Sequence, residues 1–385
     1  MSYKICVVTT TRADYGIFRP LLKRMQRYDF DITIAVGGTH FCDEYGYTVD
    51  EIKADDFAKT VSFDYLKKGT TPRCVTESAG RALSMFSDIL EENRYDLIIL
   101  LGDRYETLAI AEAALIYRIP VAHLHGGEIT EGAIDDSIRH AITKLSNLHF
   151  TSTEEHRKRI IQLGENPDRV FCVGALGVES ILNQKLLSKK ELSKELGMKF
   201  DKPYILMTYH PVTVKNDDFA DDFGEVLSAV KDLSDYDFII TKANADSGGE
   251  EINKRLEDFS ESFSHVYLYD SLGSLRYLSA MKNASLVFGN SSSGIIEAPS
   301  LKIPTVNIGD RQKGRMHAGS VIDTPPEKMK IIDTVRRVIE LRNSGKLDYT
   351  SPYGDGSTSV KICDILTEIL EDSSILYDKR FYDIL

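Results

Sequence analysis

This chain of 385 residues lacks several signals that assign a protein to a class at once. Its five cysteines include no C-x-x-C pair of the kind that binds zinc, and their odd number fits a reducing compartment, where cysteines pack as small hydrophobes. No apolar window reaches the 18 residues of a transmembrane helix, and the N-terminus starts directly with a strand. We therefore expect a soluble, cytoplasmic protein with no membrane partner.

Common nucleotide and hydrolase motifs are missing as well. The chain has neither the Rossmann glycine fingerprint nor the Walker lysine motif, which argues against a dinucleotide enzyme or a P-loop ATPase. It has no G-x-S-x-G elbow, which argues against a serine hydrolase. Excess positive charge is also lacking, since the formal net charge is −12. We expect no nucleic-acid partner, and any anionic ligand must be held by a local cluster of arginines.

What the chain does have is a regular alternation of apolar strands and amphipathic helices, in two series. The length and the alternation predict an α/β protein of two Rossmann-like, doubly wound domains that face a cleft. The predicted strands are residues 5–8, 32–36, 97–101, 121–124 and 148–151, then 204–208, 238–241, 266–268, 286–288 and 305–308. A charged run before Pro203 marks the boundary. We assign residues 1–175 to the N-terminal domain, 176–202 to a linker and 203–358 to the C-terminal domain.

The most informative motif is Gly289-Asn-Ser-Ser-Ser-Gly294, which follows a predicted strand and begins a helix. Small residues let backbone N–H groups approach a ligand closely, and N–H groups at a helix start attract anions. Ser291 and Ser292 add hydroxyl donors, and Glu297 is suited to a ribose. The motif predicts a nucleoside diphosphate site, with an ordinary capped helix as an equal alternative.

Polar residues follow the other predicted strands, where parallel sheets bind their ligands. Asp103 and Arg104 follow one strand of the first domain, and His125 and Glu128 follow the next. We expect them to converge at one sheet edge, with an N-cap and a core histidine as the structural alternatives for Asp103 and His125. Arg12 follows the first strand, where its planar guanidinium is suited to phosphate.

A helix is predicted to begin at Asp135, with its N-terminus toward the same rim. The i, i+4 spacing places Asp135 beside Arg139 and Asp136 beside His140. An ordinary surface ion pair is the alternative.

In the second domain, His210, Asn244 and Arg311 follow strands, and the first and last of them are candidates to neutralise a diphosphate. Asn244 is also an ordinary turn former. His123, His125 and Glu128 are possible zinc ligands, but no second-shell pattern accompanies them. We expect no metal and no cofactor.

Taken in order, seven motifs resemble those of the hydrolysing UDP-N-acetylglucosamine 2-epimerases of bacterial sialic-acid pathways. They are residues 11–16, 101–106, 123–128, 135–144, 210–213, 289–294 and 307–315. The resemblance covers nearly the whole chain. It implies a glycosyltransferase-B type fold, with UDP held mainly by the C-terminal domain and the sugar facing the N-terminal one. It also implies that residues 359–385 carry a helix crossing back to the N-terminal domain, and that the protein is a homo-oligomer, dimer or tetramer.

The resemblance assigns roles residue by residue. The nucleotide-binding positions match Arg12, His210, Asn244, Ser291, Ser292, Glu297 and Arg311. Asp103 and Asp135 match carboxylates needed for turnover, with Arg139 as a functional neighbour, and either aspartate is favoured as the base for the C2 proton. We add Arg104 as a substrate-binding residue. Several members have Glu at the position of His125, so either His125 takes over proton transfer or Glu128 supplies the missing carboxylate.

The implied reaction converts UDP-N-acetylglucosamine and water to N-acetylmannosamine and UDP through a 2-acetamidoglucal. Two alternatives are close: the same chemistry on UDP-2,4-diacetamido-2,4,6-trideoxyglucose for legionaminic acid, and the non-hydrolysing epimerase. A retaining glycosyltransferase and a silent UDP-sugar sensor are alternatives from other classes. The density of carboxylates at the N-terminal rim disfavours a sensor.

Overall fold

The computed structural model describes residues 2–69, 71–130, 133–211, 219–243, 249–372 and 374–384. The chain forms two compact units: Met1–Ser180 together with Tyr353–Leu385, and Ile181–Pro352. The first unit is therefore built from both ends of the chain. Among the described helices, none combines the length and the apolar character that a membrane crossing requires.

The first unit contains a parallel sheet of seven strands in the order β3-β2-β1-β4-β5-β6-β7. The strands are β1 (Tyr3–Thr9), β2 (Phe30–Gly37), β3 (Lys59–Phe63), β4 (Leu97–Leu101), β5 (Val121–Leu124), β6 (Leu148–Thr151) and β7 (Val170–Cys172). Ile5 pairs with Ile32 on one side and with Leu97 on the other, so the strand order reverses at β1. The gap between β1 and β4 at the carboxyl edge is the switch point where such sheets bind ligands.

Helices cover both faces of this sheet. They are α1 (Arg12–Met25), α2 (Val49–Asp55), α3 (Pro72–Glu92), α4 (Tyr105–Ile116), α5 (Ile134–Leu145), α6 (Glu154–Gln162), α7 (Leu176–Asn183), α14 (Thr358–Glu371) and α15 (Ser374–Tyr377). Ile5 and Val7 pack under α1, α2 and α14, whereas Cys6 and Val8 pack under α3, α4 and α5. Successive strand residues face opposite layers, so strands buried on both faces become continuously apolar.

The second unit contains a parallel sheet of six strands in the order β10-β9-β8-β11-β12-β13. Its strands are β8 (Tyr204–Thr208), β9 (Asp237–Thr241), β10 (Val266–Tyr269), β11 (Leu286–Gly289), β12 (Thr305–Ile308) and β13 (Val321–Thr324). Its helices are α8 (Lys189–Leu196), α9 (Phe219–Asp232), α10 (Gly249–Ser262), α11 (Gly273–Asn283), α12 (Ser292–Ser300) and α13 (Lys328–Asn343). The order again reverses at its first strand, which places the switch point between β8 and β11.

The predicted fold class is confirmed: the protein is α/β, with two Rossmann-like parallel-sheet domains of the glycosyltransferase-B type. All ten predicted strands are present, but β3, β7 and β13 were not predicted. Strands β3 and β13 combine apolar residues with polar or charged ones, and β7 has only three residues. The segment 176–202 contains helices α7 and α8, because apolar side chains such as Leu192 pack into the second unit.

Candidate functional site

The loop after β4 carries Asp103 and is held by a histidine from the neighbouring strand. His123 is fully buried on β5, with Nε2 2.7 Å from the Gly102 carbonyl oxygen and Nδ1 3.3 Å from Thr143 Oγ1. Burial lowers the pKa of His123 to about 3, so the ring is neutral. Because a carbonyl oxygen only accepts, Nε2 carries the proton. His123 therefore positions the Asp103 loop, and its Nε2 is not available as a metal ligand.

Arg139 ties this loop to the one that follows β5. Its side chain, only 5% exposed, forms an ion pair with Asp103. It also donates to the Glu128 carbonyl oxygen at 2.8 Å and to Thr130 Oγ1 at 3.0 Å. Burial lowers the pKa of Arg139, although a guanidinium stays charged in proteins. Asp103, Glu128 and Arg139, which the sequence placed at one rim, are thus brought together.

The predicted pairing of Asp135 with Arg139 is wrong. Asp135 is exposed in the first turn of α5, whereas Arg139 turns inward to Asp103 and lies 3.6 Å from Asp136. The second predicted pair is confirmed, since Asp136 Oδ2 lies 3.6 Å from His140 Nε2. Asp136 also accepts from the Thr130 backbone N–H at 2.9 Å. It therefore connects α5 to the loop that follows β5.

His125 and Glu128 form a contact within the loop after β5. His125 Nδ1 lies 3.1 Å from Glu128 Oε1, and Ser152 Oγ donates to the same oxygen at 3.1 Å. Burial raises the pKa of Glu128, but the hydrogen bond and charge of His125, with His156 and Ser152, lower it to about 2. His125 has a left-handed backbone, with φ of +62°. A non-glycine residue in that region is held by its surroundings, and such residues cluster at functional sites.

Arg12 and Arg104 lie at the ends of β1 and β4, each beside a carboxylate. Arg12 is the first residue of α1; its side chain is 71% exposed and lies 3.3 Å from Glu51. Arg104 Nε lies 2.5 Å from the buried Glu106, whose charge raises the pKa of Arg104 against the opposing effect of burial. Both guanidinium groups therefore remain accessible at the carboxyl edge but partly neutralised.

Asp14, which was not among the predicted site residues, closes the loop between β1 and α1. Its carboxylate accepts from the Thr10 N–H at 2.9 Å and from the Thr11 N–H at 2.7 Å, in a capping box. The two N–H groups that precede the helix are thus satisfied, and the charged group that the start of α1 offers a ligand is the Arg12 guanidinium. The spacing of Thr11 and Asp14 was a readable signal for this cap.

In the second unit, Gly289 brings β8 and β11 close together at the switch point. Its φ is +127°, and a Cβ there would lie 2.1 Å from the Thr208 carbonyl oxygen. Gly294 allows α12 to approach β12 closely, since a Cβ added at Gly294 would lie 2.7 Å from Thr305 Cγ2. Only glycine fits at either position, so the start of α12 packs closely against the sheet.

Ser291 and Ser292 occupy the start of α12. Ser291 is the N-cap, and its hydroxyl accepts from the Ser293 N–H at 3.3 Å. Ser292 is the first helical residue and is half-buried. The capped helix that we considered as an alternative is therefore present. A cap satisfies one of the four free N–H groups of a helix start, which leaves others for an anion.

Asn290 joins this loop to His210, although the two residues are 80 positions apart. Its side chain is fully buried and accepts from the His210 N–H at 2.7 Å while donating to the His210 carbonyl oxygen at 2.8 Å. The Asn290 carbonyl oxygen in turn accepts from Arg311 Nη1 at 3.0 Å and from the buried Gln312 Nε2 at 2.8 Å. His210, Arg311 and the start of α12 thus meet at one edge. Asn290 and Gln312 are functional neighbours that sequence analysis missed.

Glu297 lies beside an aromatic residue that the sequence did not single out. Burial raises the pKa of Glu297, while the Ser293 hydroxyl opposes the shift. Tyr277 of α11 faces Glu297 and Ser291, and its hydroxyl lies 3.4 Å from Thr208 Oγ1. The remaining candidate of this unit, Asn244, lies outside the described residues.

Two Rossmann-like domains, each with polar clusters at the carboxyl edge of its sheet, define a class of proteins that bind nucleotides at that edge. The profile of the UDP-N-acetylglucosamine 2-epimerase family matches residues 23–367, and the chain belongs to this family.

Similar proteins share most of the chain. A GDP/UDP-N,N'-diacetylbacillosamine 2-epimerase (hydrolyzing) from Campylobacter jejuni is 44% identical, over 83% of this chain and 84% of its own. Polysialic acid biosynthesis protein P7 from Escherichia coli is 39% identical, over 99% and 97%. The structure of UDP-GlcNAc 2-epimerase from Neisseria meningitidis bound to UDP-GlcNAc is similar at a TM-score of 0.79 and 20% identity, over 95% of this chain and 100% of that one.

Proposed function

We propose that this protein is a hydrolysing 2-epimerase that converts UDP-N-acetylglucosamine and water to N-acetylmannosamine and UDP, for sialic acid biosynthesis. The observation that carries the proposal is the contact between His125 and Glu128 in the loop that Arg139 ties to Asp103. It supplies an imidazole oriented by a carboxylate, which is the arrangement of a general base. Membership of the family supports a UDP-linked 2-acetamido sugar as the substrate.

The reaction divides into an elimination and an addition. In the elimination, the bond from C1 to the diphosphate oxygen breaks, UDP leaves with the electron pair, and a base takes the C2 proton, which yields 2-acetamidoglucal. In the addition, water provides a hydroxyl group to C1, and an acid protonates C2 from the opposite face. Because no carbonyl acidifies the C2 proton, departure of UDP runs ahead and places positive charge on the ring.

We propose that the departing diphosphate is bound by residues that donate hydrogen bonds or carry positive charge. N–H groups at the start of α12, fixed close to the sheet by Gly289, are preorganised for developing negative charge. Glu297 is assigned to the ribose hydroxyls. The nucleotide set is Arg12, His210, Asn244, Ser291, Ser292, Glu297 and Arg311, with Arg104 as a further substrate-binding residue.

We assign the base role to His125 in preference to Asp103 or Asp135. Asp103 is ion-paired with Arg139, which suits it to stabilise positive charge on the ring rather than to take a proton. Asp135 is exposed, and no hydrogen bond or ion pair of its side chain is recorded among the described residues. Asp135 then remains for the proton returned to C2, since the low pKa of Glu128 keeps it a carboxylate.

The test is turnover of UDP-N-acetylglucosamine in D2O. We expect one free UDP for each N-acetylmannosamine and one deuterium at C2 of the product. UDP-N-acetylmannosamine without free UDP would identify the non-hydrolysing reaction. Product that carries no deuterium at C2 would exclude the elimination route.

A second substrate is favoured by one of the comparisons. The 44% identical relative is named for N,N'-diacetylbacillosamine, which is 2,4-diacetamido-2,4,6-trideoxyglucose. The two substrates differ only at C4 and C6, so the same residues serve the elimination in both. Parallel assays of the two UDP-sugars at equal concentration decide between them, and the larger kcat/KM identifies the substrate.

We further propose that the enzyme is a cytoplasmic homo-oligomer. Free cysteines at all five positions support a reducing compartment. Light scattering during gel filtration tests the assembly, and a monomer of 43.2 kDa would contradict it.

A further inference from the structure

A chain of hydrogen bonds runs from α6 to the candidate base. His156 Nδ1 lies 2.9 Å from Ser152 Oγ, Ser152 Oγ donates to Glu128 Oε1 at 3.1 Å, and the same oxygen lies 3.1 Å from His125 Nδ1. Ser152 follows β6 and is buried, and His156 is in the first turn of α6. Neither residue belongs to the motifs that the sequence singled out.

Chemistry fixes the direction of every hydrogen bond in this chain. At neutral pH Glu128 is a carboxylate, because the hydrogen bonds from Ser152 and His125 keep its pKa below the ordinary 4.5, and a carboxylate only accepts. The Ser152 hydroxyl gives its one proton to Glu128, so its oxygen accepts from His156, which must carry its proton on Nδ1. His125 must also carry its proton on Nδ1. The lone pair of neutral His125 therefore lies on Nε2, a buried atom without a hydrogen-bond partner among the described residues.

The charges around His156 are compatible with a neutral donor. Burial lowers the pKa of His156, and Arg159 acts in the same direction, against the carboxylates of Glu128 and Glu155. A neutral His156 has one N–H, which the contact with Ser152 uses. Reversal of the chain would require Glu128 to be protonated, which its low pKa prevents.

Helix α6 also supports the loop after β5, through one side chain and through its backbone. Arg159 Nη1 donates to the Gly127 carbonyl oxygen. Gly127 has φ of +78°, and a Cβ there would lie 2.4 Å from the His156 carbonyl oxygen, so the loop and α6 are in direct backbone contact. This support fixes the left-handed conformation of His125.

We propose that Ser152 and His156 are positioning residues that hold Glu128 and, through it, keep His125 in the Nδ1–H tautomer, with Nε2 free to accept the C2 proton. The inference rests on the proposed function for the identity of that proton. The tautomer itself is a property of the protein without substrate.

The tautomer is read directly from 15N chemical shifts of labelled histidine in the substrate-free enzyme, with the His125 signal assigned through His125→Asn. We expect Nδ1–H for His125 in the parent protein and a shift toward Nε2–H in Ser152→Ala and His156→Leu. Ser152→Thr and His156→Asn retain the donor groups and should retain the tautomer. Ser87→Ala and His265→Asn, whose side chains hydrogen-bond to backbone carbonyls far from this chain, serve as controls.

Turnover provides a second measurement. We expect Ser152→Ala and His156→Leu to lower kcat about 10-fold to 100-fold, the scale of a misplaced general base, while KM changes less than twofold. Their pH–rate profiles should also shift on the acid side, which loss of stability alone would not cause. The variants Ser152→Thr and His156→Asn should restore both.

An Nε2–H signal in the parent protein would overturn the inference, as would an Nδ1–H signal that survives both Ser152→Ala and His156→Leu. An enzyme with the expected tautomer that releases no UDP would instead contradict the proposed function. The two failures are therefore distinguishable.

Discussion

Arg139 illustrates, at the scale of one residue, how the site depends on geometry rather than charge alone. Its guanidinium contacts Asp103, the Glu128 carbonyl oxygen and Thr130 at once. Lysine keeps the charge but is a single point donor that cannot span three acceptors in one plane. We expect Arg139→Lys to lower kcat by ~10²-fold, since a displacement of about 1 Å has that effect.

Release of UDP measures the effect, with circular dichroism to show that the variant is folded. The control is Arg73→Lys, because Arg73 is 88% exposed and pairs only along its own helix with Glu77. Equal turnover of Arg139→Lys and the parent enzyme would remove Arg139 from the site.

Asn290 offers a residue-scale prediction in the second unit. Asn290→Ala removes two buried hydrogen bonds from the His210 backbone. Each unmade buried hydrogen bond costs about 1–3 kcal/mol, so stability should fall and His210 should lose its fixed position. We expect weaker UDP binding by calorimetry. Asn283→Ala also removes two hydrogen bonds to backbone carbonyls, at the end of α11, and is the control. Unchanged UDP affinity in Asn290→Ala would argue against the proposed role of His210.

Residue types at the site were predictable, whereas their partners were not. Asp103 and His125 were found because polar residues after strands collect at one sheet edge, and Arg139 was found through helical spacing and the family resemblance. Helical spacing then suggested Asp135 as the partner of Arg139, which is wrong, because such spacing considers only neighbours on the same helix. Asp103 lies 36 positions earlier, and Asn290 reaches His210 across 80, so no local pattern contains either contact.

At the scale of elements, Gly289 sets how closely two strands approach at the switch point. Gly289→Ala places a Cβ 2.1 Å from the Thr208 carbonyl oxygen in a left-handed backbone. Backbone cannot move aside cheaply, so we expect a loss of more than about 3 kcal/mol, the upper range for core strain. The free energy of unfolding in urea measures the loss.

Gly80→Ala in α3 is the matched control for Gly289→Ala. Nothing lies within 4 Å of the position that a Cβ would take at Gly80, and alanine is favoured over glycine in a helix by about 1 kcal/mol. The control should therefore be slightly more stable than the parent. An unchanged free energy of unfolding in Gly289→Ala would show that β8 and β11 can separate without loss of stability.

A buried carboxylate joins several elements of the first unit and makes stability depend on pH. Glu165 is 1% exposed and forms ion pairs with Lys144 and Lys379, and it lies 3.1 Å from His149 Nε2. Burial raises the pKa of Glu165, but these partners lower it to about 2 from an ordinary 4.5. A folded pKa below the unfolded one contributes stability above pH 4.5, which is lost as the pH falls toward 2.

We expect about 3 kcal/mol of unfolding free energy to disappear across that window, from a difference of about 2.5 pKa units. Urea unfolding at several pH values measures it. Glu165→Gln should flatten the acid-side slope and lower stability at pH 7, because it leaves the half-buried Lys144 and Lys379 without their carboxylate partner. Glu155→Gln, at an exposed carboxylate, should keep the slope. An unchanged slope in Glu165→Gln would assign the acid sensitivity to other groups.

The elements differed in how readily they could be predicted. Strands in the middle of each sheet are buried on both faces, so Leu97–Leu101 and Tyr204–Thr208 are continuous apolar runs. Strand β3 lies at an edge and exposes Lys59 and Ser62, which gives it the composition of a loop. Its partner β2 supplies the hydrogen bonds that make it a strand, and that contact is tertiary.

At the scale of the whole molecule, alternating strands and helices were enough to predict two parallel sheets. The division of the chain was less accessible, because the first unit takes residues from both ends. Helix α14 packs its apolar side into the core under α1, where Ile362, Leu366 and Ile369 lie against the same cluster as Phe18 and Leu22. Only the family resemblance suggested that a C-terminal helix belongs there, since amphipathic spacing shows that a helix has a partner but not which one.

This packing makes the last 33 residues a condition for the first unit to fold. Truncation after Pro352 removes Ile362, Cys363, Leu366, Ile369, Leu370 and Leu376 from one core. A buried aliphatic side chain contributes about 1.5–3 kcal/mol, so the five aliphatic side chains among these together match the ~5–15 kcal/mol that stabilises a typical domain. We expect the truncated protein to lose hydrogen-exchange protection in β1, β4 and α1 while β8, β9 and β11 keep theirs. Removal of residues 383–385 alone, of which the described residues Asp383 and Ile384 lie outside that core, should leave protection in both units intact. Protection of α1 in the long truncation would show that the first unit folds without α14.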